Sequence, residues 1–171
     1  MTEEEFTKLL WQILTEHLTN ATPIEQVHFA RWTNYSDIDI LKWMVNRSET
    51  DVVAALTIYF QMSPDFYAEK TLDEFDEFEM ENVRFLEKIA LNVKEGFYKE
   101  SDISFKGSDF LENGYDFKSA KRQIPKHMQN ERKGTIELAY DLPEGFDDGL
   151  PDQISEKVWS LLNTYMPEKE N

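Results

Sequence analysis

Residues 27–60 decide the fold, and they read VHFARWTNYSDIDILKWMVNRSETDVVAALTIYF. Apolar residues recur in this stretch at helical spacing, and polar residues gather at 34–37 and 46–51. The pattern predicts short helices that pack against one another, with the polar residues at their junctions. The last of these helices should end before Pro64, because proline cannot continue an α-helix.

Two helix starts are predicted before residue 27. Thr2 and Glu5 have the spacing of a capping box, in which each side chain accepts a hydrogen bond from the backbone N–H of the other residue. The apolar residues that follow recur on one face, so we expect a helix over 3–18. Thr22 precedes Pro23, and proline is favoured at the first position of a helix because its missing N–H needs no partner there. A second, short helix should begin at this proline.

The next two helices begin inside the 27–60 stretch. Ser36 and Asp39 have the spacing to cap a third helix, and Ser48 or Thr50 is placed to cap a fourth. These first four helices are expected to pack as two helical hairpins.

The second half of the chain contains a long helix and the strand signals. Apolar residues keep a near 3.6-residue period over 75–97, which predicts the longest helix. Apolar and polar residues alternate over 103–105 and 136–142, as in half-buried strands, and a final helix should start at Pro151. The expected fold is therefore mainly α (α+β), a compact multi-helix single domain over 1–171 with a small antiparallel strand pair in its C-terminal half. Its core should include Trp43, Leu56, Tyr59, Phe60, Leu86, Ile89 and Val93.

Composition limits the classes of function. The chain has 171 residues, a net charge of -16 and no cysteine. The negative charge disfavours nucleic acids and anionic membranes as partners, and the lack of cysteine excludes disulfides and thiol nucleophiles. The chain begins with acidic residues rather than the basic start of a secretory signal, and no apolar run approaches the roughly 18 residues of a membrane span. We therefore expect a cytoplasmic protein.

Charged residues are clustered along the chain. An acidic run of carboxylates comprises Asp73, Glu74, Asp76, Glu77, Glu79 and Glu81. A basic strip comprises Lys118, Lys121, Arg122, Lys126, Arg132 and Lys133. These clusters allow two interpretations. Either the basic strip lies against the acidic run and neutralises it within the molecule, or the acidic run stays free and meets a basic partner protein.

Several motifs of the first two thirds of the chain carry a family resemblance. They are His28-Phe29-Ala30, Asn34-Tyr35-Ser36-Asp37, Leu41-Lys42-Trp43, Asp51, the run Ala54 to Phe60, Ile89-Ala90-Leu91-Asn92, Gly96-Phe97-Tyr98 and Ile103-Ser104-Phe105. In these residues the chain resembles the bacterial family catalogued as domain of unknown function 4274. The resemblance covers residues 24–110 and implies a helical core without an assigned chemistry. Residues 111–171 would then form a turn-rich C-terminal extension with a final helix.

Four residues of this region are candidates for a polar cluster, namely His28, Asn34, Asp37 and Asp51. A carboxylate near His28 could orient its imidazole for acid–base chemistry, but a histidine at a helix junction also needs hydrogen-bond partners for purely structural reasons. Asp37 and Asp51 could equally serve as helix caps. The sequence has no nucleophile-elbow serine, glycine-rich phosphate loop or two-histidine metal motif, so we expect no catalytic set, cofactor or metal.

Two hypotheses for the function follow. The first is a non-catalytic bacterial protein-interaction domain, for instance an acidic immunity protein that covers a basic toxin domain, with the acidic run as its interaction surface. The alternative is an uncharacterised hydrolase or lyase centred on His28, Asn34 and Asp37. The net charge and the lack of a recognisable catalytic set favour the first hypothesis.

Overall fold

The computed structural model describes residues 1–33, 38–111 and 120–166. Eight α-helices are present in these residues, and they are α1 (Glu3–Asn20), α2 (Pro23–Trp32), α3 (Ile38–Val45), α4 (Val52–Gln61), α5 (Pro64–Ala68), α6 (Glu77–Lys94), α7 (Lys126–Gln129) and α8 (Asp152–Tyr165). Short 3₁₀ helices lie at Leu72–Glu74 and Gly107–Phe110, and an antiparallel hairpin is formed by β1 (Phe146–Asp147) and β2 (Leu150–Pro151). The predicted mainly helical class with a small antiparallel strand pair is confirmed.

The first two helices begin with local hydrogen bonds that the sequence predicts. Thr2 N–H donates to the Glu5 carboxylate at 2.8 Å, and Glu5 N–H donates to the Thr2 hydroxyl at 3.2 Å. Thr22 and Glu25 form the same capping box at the start of α2, with Pro23 at the first helical position. Both predicted helix starts are confirmed. They could be predicted from the sequence because the two residues of each capping box are only three positions apart.

Helix α6 replaces the longer helix predicted over 75–97. Asp76 accepts the Glu79 N–H at 2.8 Å and has extended backbone, so it caps the helix rather than belonging to it. At the other end, Gly96 adopts a φ of +67°, a left-handed conformation that commonly terminates helices. The helix has 18 residues, as many as α1.

Helix α4 is the centre of the molecule. All its residues from Val52 to Phe60 are buried, and α2, α3, α5 and α6 pack around it. A helix that is apolar on every side has to be covered on every side. Among the residues predicted for the core, Leu56, Tyr59, Phe60, Leu86 and Ile89 lie in one buried cluster, against which Trp43 and Val93 pack half-buried. This confirms the predicted core.

The predicted pairing of the first four helices into two hairpins is wrong. Helix α1 packs mainly against α8, and α2 packs mainly against α4. The rings of Phe6 and Tyr165 stack at 4.5 Å, which joins the start of α1 to the end of α8 in an antiparallel pair. Only two residues of α1, Leu14 and Leu18, are buried. The helix contacts α8 and, to a smaller extent, α3.

The antiparallel strand pair lies at residues 146–151 rather than at the two segments predicted. Ile103 instead forms a single parallel bridge with Ile136, and Phe105 forms a single antiparallel bridge with Arg132. Since the two bridges have opposite polarity, the second segment reverses its direction between them and cannot extend a ladder. Gly134 lies within this reversal, where an added Cβ would be 2.3 Å from the Asp102 carbonyl oxygen.

Candidate functional site

The four candidates for a polar cluster do not form one site in the described residues. Asn34 and Asp37 lie outside the part of the chain that the structure describes. His28 lies on α2 beneath the β1–β2 hairpin, whereas Asp51 caps α4 and contacts Gln26 and residues 98–101. The two described candidates therefore have separate surroundings.

His28 is enclosed by the hairpin. Its side chain is 3% exposed, and its ring lies 5.1 Å from the Phe146 ring. Gly149 approaches the same helix so closely that an added Cβ would be 2.7 Å from the His28 carbonyl oxygen. Burial lowers the pKa of His28, with the Arg31 charge as a second cause, so the surroundings disfavour the charged imidazolium. His28 lines none of five clefts formed by the described residues.

The neighbouring residues on α2 are also covered by the C-terminal part of the chain. The Arg31 guanidinium donates to the Ala139 carbonyl at 2.8 Å, and the Trp32 ring meets the Tyr140 ring edge to face at 6.1 Å. In addition, the Gln61 amide donates to the Arg31 carbonyl. Three buried nitrogens of this face, His28 Nδ1, Arg31 Nε and Trp32 Nε1, have no hydrogen-bond partner among the described residues. This face of α2 is a packing surface.

Asp51 caps α4, which confirms the interpretation of this residue as a helix cap. Its Oδ1 accepts the Val53 N–H at 2.8 Å, and its own N–H donates to Gln26 Oε1 at 2.7 Å. The expectation that Ser48 or Thr50 caps this helix is wrong. The Thr50 hydroxyl donates instead to the Met44 carbonyl at 2.6 Å, because Thr50 lies one residue too far from the first free N–H groups of α4.

The second oxygen of Asp51 is the unusual feature of this junction. Asp51 is 1% exposed, and its Oδ2 is buried without a hydrogen bond in the described residues, as is the Ser101 hydroxyl. Ser101 lies close enough to lower the pKa of the carboxyl, but burial has the larger effect and raises it. The junction is closed by Val52 N–H, which donates to the Lys99 carbonyl at 2.9 Å. Asp51 therefore holds two segments of the described chain together.

The acidic run is neutralised in part within the molecule. Lys121 pairs with Glu74 at 2.7 Å and lowers its pKa to about 2, which confirms for this pair that the basic strip lies against the acidic run. Two lysines from elsewhere also contribute, because Lys42 pairs with Glu81 at 2.7 Å and Lys70 with Glu79.

Two arginines of the basic strip pair outside the run, and Lys118 lies outside the described residues. Arg122 binds Glu87 at 2.7 Å, and Arg132 binds Glu100. Asp76 is engaged as the cap of α6. The internal interpretation is therefore confirmed for only part of the run.

Two carboxylates of the run have no such partner. Asp73 and Glu77 are exposed and form no ion pair within residues 1–33, 38–111 and 120–166. Exposed apolar side chains stand next to them in the chain, since Leu72 is 53% and Phe78 68% exposed. On the adjacent α5, Phe66 is 47% exposed. We call the following residues the acidic–aromatic surface: Asp65, Phe66, Glu69, Leu72, Asp73, Glu77 and Phe78.

Aromatic contacts join the two parts of the acidic–aromatic surface. The Phe66 ring lies 5.1 Å from the Tyr67 ring, which lies 5.8 Å from the Phe75 ring. Lys70 Nζ lies 4.5 Å from the centre of the Phe66 ring and 5.6 Å from that of Phe75. Asn82 of α6 donates to the Tyr67 hydroxyl at 3.0 Å. These contacts hold α5 against Phe75 and α6.

Sequence periodicity missed the exposure of Phe78. This residue has the helical phase of the buried residues Phe85 and Ile89, and the pattern therefore placed it inside. It lies in the first turn of α6, where no described element covers it. Helical phase identifies the inner face of a helix but does not show how far along the helix its neighbours extend.

The described residues give no support to metal binding or to a membrane span. None of their groups of three or more His, Asp or Glu side chains could hold a metal ion. None of the helices that the structure describes has both the length and the apolar character needed to cross a bilayer.

Comparison with known proteins finds no relative. No protein-family model matches the chain, and no curated protein or solved structure matches it significantly. The resemblance to domain of unknown function 4274 therefore stays a prediction.

Proposed function

We propose that this chain is a non-catalytic protein-interaction domain that binds a basic protein through its acidic–aromatic surface. The observation that carries the proposal is the exposure of Leu72 and Phe78 on either side of Asp73 and Glu77, whose carboxylates form no ion pair with any residue that the structure describes. Contiguous exposed apolar side chains commonly mark interaction sites, and aromatic residues supply much of the binding energy in protein interfaces.

The carboxylates of this surface favour a basic partner. A net charge of -16 attracts cationic proteins, and the free carboxylates would pair with lysine or arginine of the partner. The internal pairs of Glu74 and Glu79 reduce the charge of the run and hold it against α5 and the segment at Lys121. The partner therefore meets a smaller and more apolar target than the full acidic run.

As its biological form we propose an immunity-type protein of the bacterial cytoplasm that covers a basic toxin domain. A compact acidic protein suits this role because it can mask a cationic active surface without any chemistry of its own. Membership of domain of unknown function 4274 would be consistent with such a role. The alternative of a hydrolase or lyase stays a prediction, and no observation favours it, because His28 is enclosed and lines none of the five clefts of the described residues.

The test is a pull-down from the producing cell at about 20 mM and 500 mM salt. The wild type should recover a basic protein at low salt, and the double variant Asp73→Lys, Glu77→Lys should not. A second variant, Leu72→Ser with Phe78→Ser, keeps the charge and should also lose the partner. The matched control Glu16→Lys, Glu156→Lys makes the same charge change at exposed positions of α1 and α8 and should bind like the wild type.

Two results would contradict the proposal. In the first, the wild type recovers no basic protein at low salt. In the second, the Asp73 and Glu77 variant binds as well as the control variant, so that net charge rather than this surface accounts for the binding.

A further inference from the structure

A partly open cleft lies between α5, α6 and the segment 122–125. Its volume is about 140 Å³, and the residues that give it its character are Tyr67, Ala68, Val83, Leu86, Ala90 and Ile124. The lining is mostly apolar, and Glu87, Arg122 and Gln123 are its polar members. The cleft matches in size the cavities of roughly 150 Å³ that accept a benzene ring.

Hydrogen bonds hold the walls of the cleft in place. Arg122 N–H donates to the Ala68 carbonyl at 2.9 Å, and the Arg122 guanidinium pairs with Glu87 at 2.7 Å. His127 Nε2 lies 2.8 Å from the Ala90 carbonyl oxygen. Each of these contacts joins the 122–127 region to α5 or α6. The cleft is thus held open by contacts that do not involve an occupant.

The cleft is continuous with the acidic–aromatic surface. The Phe75 ring lies 5.8 Å from the ring of Tyr67 and 5.8 Å from the guanidinium carbon of Arg122, and both of those residues line the cleft. Phe75 stands in the chain between Asp73 and Glu77. Since Asp73 and Glu77 are each two residues from Phe75, a bound segment that reaches these carboxylates lies close to the cleft.

We infer that the cleft receives one apolar side chain, of the size of leucine or phenylalanine, from the basic protein that docks on the acidic–aromatic surface. The inference rests on the proposed function and adds to it the anchor of the partner. Binding hot spots are typically large side chains that fill a preformed pocket and are surrounded by weaker polar contacts. Arg122 does not repel a basic partner at the mouth, because Glu87 neutralises its charge.

The two alanines of the lining offer a way to fill the cleft. Ala68 and Ala90 lie on α5 and α6, and leucine is nearly as favourable as alanine in a helix. Ala68→Leu or Ala90→Leu should occupy the cleft from within and leave the carboxylates unchanged. Their melting temperatures show whether either variant is folded.

The experiment uses two synthetic peptides of about 18 residues built from lysine and alanine, one with a central phenylalanine and one with alanine in its place. Their affinities for the full chain are measured by fluorescence anisotropy at about 20 mM salt. The phenylalanine peptide should bind about tenfold more tightly. Each leucine variant should remove this advantage without changing the affinity of the alanine peptide. The Asp73→Lys, Glu77→Lys variant should weaken both peptides.

The outcomes separate the inference from the proposed function. Equal binding of the two peptides would overturn the anchor and leave the acidic–aromatic surface intact, whereas binding of neither would refute both. If the phenylalanine peptide still binds more tightly than the alanine peptide to a folded leucine variant, its phenylalanine binds outside the cleft, and the inference is overturned. Methyl NMR shifts of Ala68 and Ala90 give a test without mutation, since only the phenylalanine peptide should move them. If toluene moves them and that peptide does not, the cleft is a small-molecule site.

Discussion

Carboxylates occupy opposite environments in two regions of this molecule. Asp51, at the start of α4, is buried, and the loss of solvent raises its pKa. Glu74, in the acidic run, lies at the surface, and its hydrogen bond with Lys121 lowers its pKa to about 2. The Asp51 carboxylate thus caps a buried helix, whereas the Glu74 carboxylate is in contact with solvent. Environment rather than residue type sets the pKa of each carboxylate. Both are engaged within the fold, so recognition is left to exposed carboxylates such as Asp73 and Glu77.

This comparison predicts two kinds of mutational effect. Substitutions around α4 should change the free energy of unfolding, because that helix is covered on every side. Substitutions in the acidic–aromatic surface should change binding first, because its apolar side chains already face solvent. The comparison is contradicted if substitutions around α4 change binding without changing the free energy of unfolding, or if substitutions in the acidic–aromatic surface change the free energy of unfolding without changing binding.

The largest effect is expected in the core. Leu56→Ala and Ile89→Ala remove fully buried side chains, and each should lower the free energy of unfolding by about 2 to 5 kcal/mol. Urea denaturation monitored by circular dichroism measures the change. Leu91→Ala, on the exposed face of α6, is the matched control and should stay within about 0.5 kcal/mol of the wild type. Losses below about 0.5 kcal/mol at both core sites would show that these helices do not pack as described.

A smaller effect is expected at Asp51, where two substitutions separate the cap from the charge. Asp51→Ala removes the acceptor of the Val53 N–H and should cost about 1 kcal/mol. Asp51→Asn keeps an oxygen acceptor but carries no charge, so it should be less destabilising than alanine at pH 7. Neither change should alter binding of the basic partner in a folded protein.

The pH dependence at Asp51 follows from the direction of its pKa shift. Because the pKa is raised, the folded protein binds this proton more tightly than the unfolded chain does. The stability of the wild type relative to Asp51→Asn should therefore fall as the pH rises from about 4 until the folded-state pKa is passed. Urea titrations of both proteins at about pH 3.5 and pH 7 measure this difference. A pH-independent difference would mean that the pKa of Asp51 is the same in the folded and the unfolded protein.

Most of the fold could be predicted where a signal is local. The capping boxes at Thr2 and Thr22 specify helix starts within four residues, and the apolar period of α6 specifies its inner face. Pairings between distant segments could not be predicted in this way. Nothing near α1 shows that its partner is α8, and the reversal at Gly134 that prevents a ladder depends on a close approach to Asp102.

The candidate site was predicted less completely than the fold. The acidic run was identified from charge alone, but its neutralisation by Lys42 depends on a residue 39 positions away in the chain. The apolar part of the surface was missed because Phe78 has the phase of a core residue, and its exposure depends on what the rest of the molecule leaves uncovered. The cleft combines α5, α6 and residues near Arg122, and no local pattern brings these together.

The smallest effect is expected from the ion pairs at the edge of the acidic run. Lys121→Glu with Arg122→Glu replaces two attractive contacts, with Glu74 and Glu87, by repulsion. The melting temperature should fall, and it should fall further at about 20 mM than at 500 mM salt, because salt screens exposed charges. Glu77→Lys is the counterpart in the same region and breaks no ion pair of the described residues. It removes repulsion but also loses the favourable interaction of a carboxylate with the start of α6, so it should change the melting temperature less than the double variant does. Circular dichroism melts of both variants at the two salt concentrations decide the matter. If the double variant melts like the wild type at low salt, these two pairs do not hold the run in place, and the other contacts of the region, such as those of Lys70 and Tyr67, do so instead.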